Sequence, residues 1–463
     1  MKKYDIIIAG AGASGVFMSY ELTKLNPDAS ILMIDKGAPL EERACPISLG
    51  KTKTCVKCPI CHIMNGYGGA GTLSDGKYNI TTKFGGDLHT YVGVDEATSL
   101  MEYVDQVLCE MGGAEAKLYS TGSSELKTTA LRCNLNLLDA KVRHLGTDRN
   151  RKILQRICEY TEQKIEMKFK TNIVDVEKLA DGGFEVTIEG GEKYACEDLV
   201  LAMGRSGSKF ISTLCDKLGI EHISNRVDIG VRVELPAVIF KHITDDVYES
   251  KIVYKTDKTN DLVRTFCMNP YGEVVAENTN GIVTVNGHSY SDPSLHTENT
   301  NFALLVSNNF TEPFRDSNEY GESIARLSNM LGGGVLLQRF GDLVKGRRSS
   351  ERRMAKCFTR PTLKATPGDL ALVIPKRQLD SIIEMIYALD KIAPGTANED
   401  TLLYGVEVKF YNSKVEVDEH LETKVKGLYA LGDGSGVTHS LSQASACGVH
   451  VARILAEKYG KKN

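Results

Sequence analysis

The first fifteen residues, MKKYDIIIAGAGASG, constrain the fold more than any other stretch. Residues 4–9, YDIIIA, are a short β-branched run of the kind that forms a strand buried on both faces. Gly10-Ala11-Gly12-Ala13-Ser14-Gly15 follows at once, and VFMSYELTKLN then has helical spacing. Strand, G-x-G-x-x-G and helix in that order make a dinucleotide-binding turn. The first glycine permits the turn, the second lets a pyrophosphate approach the backbone, and the third lets helix pack on strand. The helix offers its first amides and the positive end of its dipole to phosphate. A second apolar run, SILMID, ends in Asp35, about twenty residues past the last glycine, where an acid accepts ribose hydroxyls. Gly10, Gly12, Ala13, Ser14, Gly15, Asp35 and the adjacent Lys36 are the expected cofactor contacts at this end.

That spacing suits NAD and FAD alike; the other end of the chain decides between them. Residues 427–450, GLYALGDGSGVTHSLSQASACGVH, read as a strand ending in Gly432-Asp433-Gly434, then a helix rich in small residues. They resemble the second FAD motif of glutathione-reductase-like flavoproteins. The resemblance implies that Asp433 holds the ribitol chain and that amides from Val437 to residue 441 face the flavin pyrimidine edge. The stretch NIVDVEKLADGGFEVTIEGGEKYACEDLVLAMGRSGS alternates like a β-meander. It resembles the third FAD element of those proteins, which puts Val174 at the adenine and Met203 with Gly204 at the closure of the site. GYGGAGTLSDGK resembles their loop past the pyrophosphate. Gly68, Gly69 and Gly71 then allow close backbone approach, with Ser74 and Lys77 reaching phosphate or flavin N5.

With VDIGVRVE, RTFCMNPYGEVV, VNGHS and TLLYGVEVKFY, these stretches resemble a widespread family of FAD-dependent dehydrogenases over nearly the whole chain. That family is related to the glutathione-reductase-like two-domain flavoproteins. The implied fold is α/β: a glutathione-reductase-like FAD-binding Rossmann domain interrupted by an inserted mixed α+β substrate domain. Residues 1–205 and 401–463 are expected to form the FAD-binding domain and 206–400 the insert.

Composition narrows the function. A chain of 463 residues exceeds one ordinary core. A formal net charge of −4 lacks the basic excess of a nucleic-acid binder, so no nucleic-acid partner is expected. No apolar run reaches the ~18 residues of a membrane span. The lysines at 2 and 3 superficially suggest a secretion signal, but Asp5 and the glycines interrupt it, so a cytoplasmic location is expected. The twelve cysteines are then mostly thiols or metal ligands rather than disulfides. LGGGVLL at 331–337 follows a helix-like segment, not a strand, so it is no second nucleotide motif. Electrons would come from NAD(P)H bound transiently or from a ferredoxin-like protein.

Cys45-Pro46 and the run Cys55, Cys58, Cys61 leave three readings open. Zinc usually takes separated pairs of ligands. Three cysteines at every third position with a distant Cys-Pro come closer to iron–sulfur ligation, in reversed order. Free thiols or a redox disulfide are the third reading. A cluster at Cys45, Cys55, Cys58 and Cys61 would feed electrons to the flavin.

Four residues are candidates for chemistry. His439, on the loop entering the last helix, is the preferred proton-transfer group; Lys77, Cys267 and Tyr271 are the others. His288 reads better as a structural histidine. KGRRSSERR at 345–353 reads as a solvated charged face or, through Arg347 or Arg348, as an anion clamp. The expected activity is that of an FAD-dependent reductase or dehydrogenase acting on a small organic molecule. A redox sensor or electron-carrier module and a flavin-dependent nucleic-acid modification enzyme are the alternatives.

Overall fold

The computed structural model describes residues 1–46, 49–52, 56, 58–74, 76–121, 124–247, 250–279, 281–290, 293–310 and 316–460. The chain forms two compact units. The first is assembled from Met1–Leu118, Lys141–Asn225 and Tyr411–Asn463, the second from Tyr119–Ala140 and Arg226–Phe410. The joints fall after residues 225 and 410, where the sequence reading sets them after 205 and 400, and a further short stretch before residue 141 belongs to the second unit.

In the first unit the strand Lys2–Ala9 lies between Ile31–Ile34 and Lys193–Leu201, parallel to both. Glu166–Lys168 extends one side and Leu428–Ala430 the other, again in parallel. Ile6, Ile7 and Ile8 are all fully buried, which explains why this strand is apolar without alternation: both faces are covered. The expected meander is present as Ile173–Lys178, Phe184–Ile188 and Lys193–Leu201, paired antiparallel. The helices Ala13–Leu25 and Leu441–Lys458 pack backbone to backbone. A Cβ on Gly448 would stand 2.1 Å from the Ser14 carbonyl oxygen, which is why small residues fill the last helix.

The second unit is built on a mixed sheet whose middle strand, Val227–Pro236, pairs antiparallel with Asn299–Asn308 and Leu402–Lys409. Leu262–Asn269, Ile252–Lys255 and Leu135–Leu137 continue one side; Leu336–Arg339 and Thr366–Pro367 complete the other. VDIGVRVELP alternates with period two. Val227, Ile229, Val231, Val233 and Leu235 enter an apolar layer that includes Ile382, Met385, Ile386 and Leu389 of the helix Lys376–Asp390. Asp228, Arg232 and Glu234 take the opposite face, yet each has 0% of its surface exposed. That face is a polar interior, not a solvated surface.

The chain is thus a mixed α/β protein, as expected. Among the described residues, no helix is long and apolar enough to cross a membrane.

Candidate dinucleotide site

The three motif glycines serve three separate steric needs. Gly10 has φ +113°, and a Cβ there would lie 2.4 Å from the Ala202 carbonyl oxygen. A Cβ on Gly15 would lie 2.1 Å from the Gly10 carbonyl oxygen. A Cβ on Gly12 would meet nothing nearer than the Ala202 oxygen, at 3.8 Å. Open space above the second glycine is what a pyrophosphate lying on the backbone requires. The glycine loop packs directly against this turn. The Gly68 amide donates to the Ala11 carbonyl at 2.7 Å, and a Cβ on Gly69 would be 2.9 Å from the Gly12 Cα. A Cβ on Gly71 would be 2.7 Å from a Leu441 methyl, which brings the last helix to the same loop.

Asp35 does more than the sequence reading assigns to it. Its carboxylate accepts from three amides: Ala11 at 2.8 Å, Gly37 at 2.7 Å and Gly66 at 3.0 Å. It therefore splices the turn, its own loop and the glycine loop together. A carboxylate has about four acceptor positions, so one remains for a ribose hydroxyl. Lys36 Nζ donates to the Ser206 carbonyl at 3.1 Å, and Ser206 Oγ donates to Asn65 Oδ1 at 2.6 Å.

Arg43 is a residue that shapes the site and that the sequence reading missed. It is 1% exposed and donates to the carbonyls of His62, Ile63 and Tyr67 at 2.9, 2.8 and 2.6 Å. Burial lowers its pKa to about 10, with the nearby Asp35 carboxylate pulling the other way. One guanidinium therefore shapes the segment between the cysteines and the glycines.

The C-terminal motif arrives at the same place. The Ala202 amide donates to Ala9 at 2.8 Å and the Leu431 amide to Leu201 at 3.1 Å, so three strand ends coincide. A Cβ on Gly432 would be 2.5 Å from Ser14 Oγ, and one on Gly434 would be 2.6 Å from the Gly204 carbonyl. Asp433 accepts from Arg205 Nε at 2.6 Å and faces His439 Nδ1 at 3.2 Å. Burial alone would raise the Asp433 pKa, but the Arg205 charge and the His439 contact outweigh it and hold the carboxyl well below the usual range. An ionised Asp433 can only accept, so His439 turns a protonated Nδ1 toward it. The His439 ring lies edge-on to Tyr411, with centroids 4.5 Å apart. Its amide donates to the Gly85 carbonyl at 2.9 Å, and that of Thr438 to Gly432 at 3.5 Å. Two of the amides expected near the flavin thus hold protein carbonyls. In the first turn of Leu441–Lys458 the Gln443 amide donates to the capping Ser440 Oγ at 3.3 Å.

Other expected residues divide. Met203 is packed under Gly207, whose Cβ would meet the Met203 Cβ at 2.2 Å, and Val437 is fully buried beside the C-terminal motif. Ser74 braces its own loop, donating to Gly71 at 2.7 Å and accepting from Gly76 at 3.2 Å. Lys77 begins the strand Lys77–Ile80, opposite His144. Val174 is 47% exposed on the meander. Cys45 and Cys58 are half-buried thiols, Cys61 is exposed, and Cys55 lies outside the described residues. Among the described residues, no three His, Cys, Asp or Glu side chains are grouped to hold a metal.

Cys267 and Tyr271 belong to the second unit, both with left-handed backbone, φ +42° and +53°. The Tyr271 ring stacks on His296, and His288 lies edge-on to Tyr290. Arg347 is bound at 2.8 Å to Asp342, which is itself fully buried and accepts from Ser349 at 2.8 Å, so the 345–353 stretch contributes to an internal ion-pair network. On the buried polar face of the sheet, Arg232 bonds Glu407 at 2.9 and 3.0 Å and donates to the Cys267 carbonyl at 2.7 Å. Glu234 accepts from Tyr404 and Thr362 hydroxyls, each at 2.6 Å. Burial pushes Glu407 up to about 7 against the pull of Arg232.

The first unit is therefore a mixed α/β unit in which glycine turns from three stretches of the chain converge. Residues 227–410, in the second unit, match the family model described as FAD-dependent protein, C-terminal domain-like. An uncharacterised protein of Clostridium beijerinckii is 25% identical over 475 residues, covering 98% of this chain and 81% of that protein. Among solved structures, glycine oxidase from Geobacillus kaustophilus is 11% identical and covers 100% of this chain and 96% of its own, with a TM-score of 0.41. A variant of E. coli quinol fumarate reductase FrdA is 13% identical and covers 100% of this chain and 72% of its own, with a TM-score of 0.41. The family match bears out the kinship with FAD-dependent proteins read from the sequence motifs.

Proposed function

We propose that the protein is an FAD-dependent oxidoreductase, of reductase or dehydrogenase type, acting on a small organic substrate in the cytoplasm. The observation that carries this reading is the convergence of the Gly10–Gly15 turn, the Gly68–Gly71 loop and the Gly432–Asp433 strand end, with space left above Gly12. The residues fit the cofactor. Gly12 and the first turn of Ala13–Leu25 would take the pyrophosphate, Asp35 the ribose with its remaining acceptor position, and Asp433 the ribitol. FAD when bound supplies hydride exchange at N5, which no side chain can provide.

The chain's own contribution is to position groups and to move a proton. Asp433 stays ionised and orients the ring through the His439 Nδ1 proton, and His439 would exchange a proton with substrate. NAD(P)H bound transiently or a ferredoxin-like carrier would deliver electrons, with an iron–sulfur cluster, zinc or thiols as the three readings of Cys45, Cys55, Cys58 and Cys61.

The test is an absorbance spectrum of purified protein, followed by heat release and identification of the flavin. Absence of FAD, together with failure to take it up on titration, would sink the reading. Iron and acid-labile sulfide assays on anaerobically isolated protein decide the cluster.

A further inference from the structure

Ser440-x-x-Gln443 at the head of the last helix has the pattern of a capping box, and only half of that box forms. Ser440 Oγ accepts from the Gln443 amide at 3.3 Å. The Gln443 side chain, which in such a box returns to the first residue's amide, bonds the segment 81–88 instead. Its Nε2 donates to the carbonyls of Thr81 and Phe84 at 3.1 and 3.0 Å, and its Oε1 accepts from the Leu88 amide at 3.3 Å. Gln443 is 1% exposed, and both its donors and an acceptor are committed to backbone 355 to 362 residues away. Only a primary amide offers that set: a glutamate has at most one donor, and an apolar side chain has none.

The segment so held is paired with the one that carries His439. The Asp87 amide donates to the Val437 carbonyl at 2.9 Å, the His439 amide donates to Gly85 at 2.9 Å, and Gly86 faces Thr438 in an antiparallel bridge. The approach requires glycine: Gly86 has φ +140°, and a Cβ there would lie 2.7 Å from the Thr438 Cα. Lys414 Nζ holds the Asp87 carboxylate at 3.0 Å from another side. His439, its side chain 5% exposed, then meets Asp433 at 3.2 Å. That contact is at the long end of the range for such a bond, so a shift of a few tenths of an ångström would break it.

We infer that Gln443 is a positioning residue: through the segment 81–88 it fixes the backbone that presents His439 to Asp433. Its part in proton transfer rests on the oxidoreductase reading; its hold on His439 stands without it.

The experiment is NMR of the purified full chain carrying isotope-labelled histidine, with the His439 signals assigned by their loss in His439→Gln. A slowly exchanging Nδ1 proton and a protected backbone amide are expected at His439 in the wild type. Gln443→Met keeps the length of the side chain and removes its three bonds, and should speed exchange of both protons about tenfold or more. Val186→Ala, a buried change in the meander that also lowers the melting temperature, should leave both as in the wild type. Thermal melts check folding. If Gln443→Met does not fold, Lys414→Gln, which releases Asp87 of the same segment, carries the test and should speed exchange severalfold. No protected ring proton in the wild type, exchange indifferent to the Gln443 and Lys414 substitutions, or an equal change in Val186→Ala overturns the proposal. Protein that holds FAD but whose His439 signals ignore Gln443 refutes this role alone, whereas the expected signals in protein that takes up no FAD refute the oxidoreductase reading alone.

Discussion

Gly12→Ala and Gly15→Ala should separate what the dinucleotide motif does for folding from what it does for binding. At Gly12 the new methyl meets nothing nearer than 3.8 Å, and the residue's φ of −73° suits alanine. Reduced freedom of the unfolded chain contributes about 0.4–1 kcal/mol, and the poorer helix cap takes back about 0.5–1 kcal/mol, so the net change lies within about 1 kcal/mol of zero. At Gly15 the methyl would sit 2.1 Å from a backbone oxygen that no rotamer change can move. Helix and strand must then part by roughly an ångström, which costs about 3 kcal/mol or more by the scale of overpacked cores. For cofactor the order reverses in what it reports. The Gly12 methyl fills the space a pyrophosphate needs and should weaken FAD by tenfold or more, about 1.4 kcal/mol or beyond, in a protein that still folds well. Urea melts of flavin-free protein and fluorescence titration with FAD measure the two effects. If Gly12→Ala destabilised the protein as much as Gly15→Ala, or bound FAD as wild type does, the assignment of the second glycine would fail.

Asp433→Asn should weaken FAD ten- to a hundredfold, since a charge-assisted bond is worth about 1.5–3 kcal/mol; unchanged affinity in the same titration would remove Asp433 from the site. Arg43→Met leaves three loop carbonyls without their donor and should cost about 2–4 kcal/mol, with protease cleavage appearing near residues 61–67; a melt and digestion pattern like wild type would show that the clamp is dispensable. For Glu407, burial raises the folded pKa from 4.5 to about 7, so the folded state binds the proton more tightly and stability is lost as pH rises through that window. Glu407→Gln, which mimics the protonated form, should match wild type at pH 5 and exceed it by up to about 3 kcal/mol at pH 8; an equal difference in urea melts at both pH values would contradict this.

What could be read in the sequence was what depends on neighbours along the chain. The turn at Gly10–Gly15 is set by contacts among a strand, the helix after it and the next strand, so spacing alone revealed it. Asp35 was legible by position, but its second allegiance was not, because the Gly66 amide lies 31 residues away. Arg205 stands in the quoted GRSGS stretch without any sign of a partner 228 residues on, at Asp433. Arg43 gave no signal at all: it follows two glutamates and reads as a surface arginine, yet it is buried against backbone carbonyls. At 345–353 most of the basic side chains are exposed, as a solvated face requires, but that Arg347 and Arg353 also lean on buried Asp342 was not legible.

The second unit shows where periodicity stops being informative. VDIGVRVE says that one face is apolar and the other polar, and ordinarily the polar face would meet water. Asp228, Arg232 and Glu234 are instead fully buried, and burying ionisable groups costs several kcal/mol each before pairing returns any of it. A sheet kept only for stability would do better with apolar residues there. The retained charges are matched one by one where they serve structure, Arg232 with Glu407 and Glu234 with Tyr404 and Thr362.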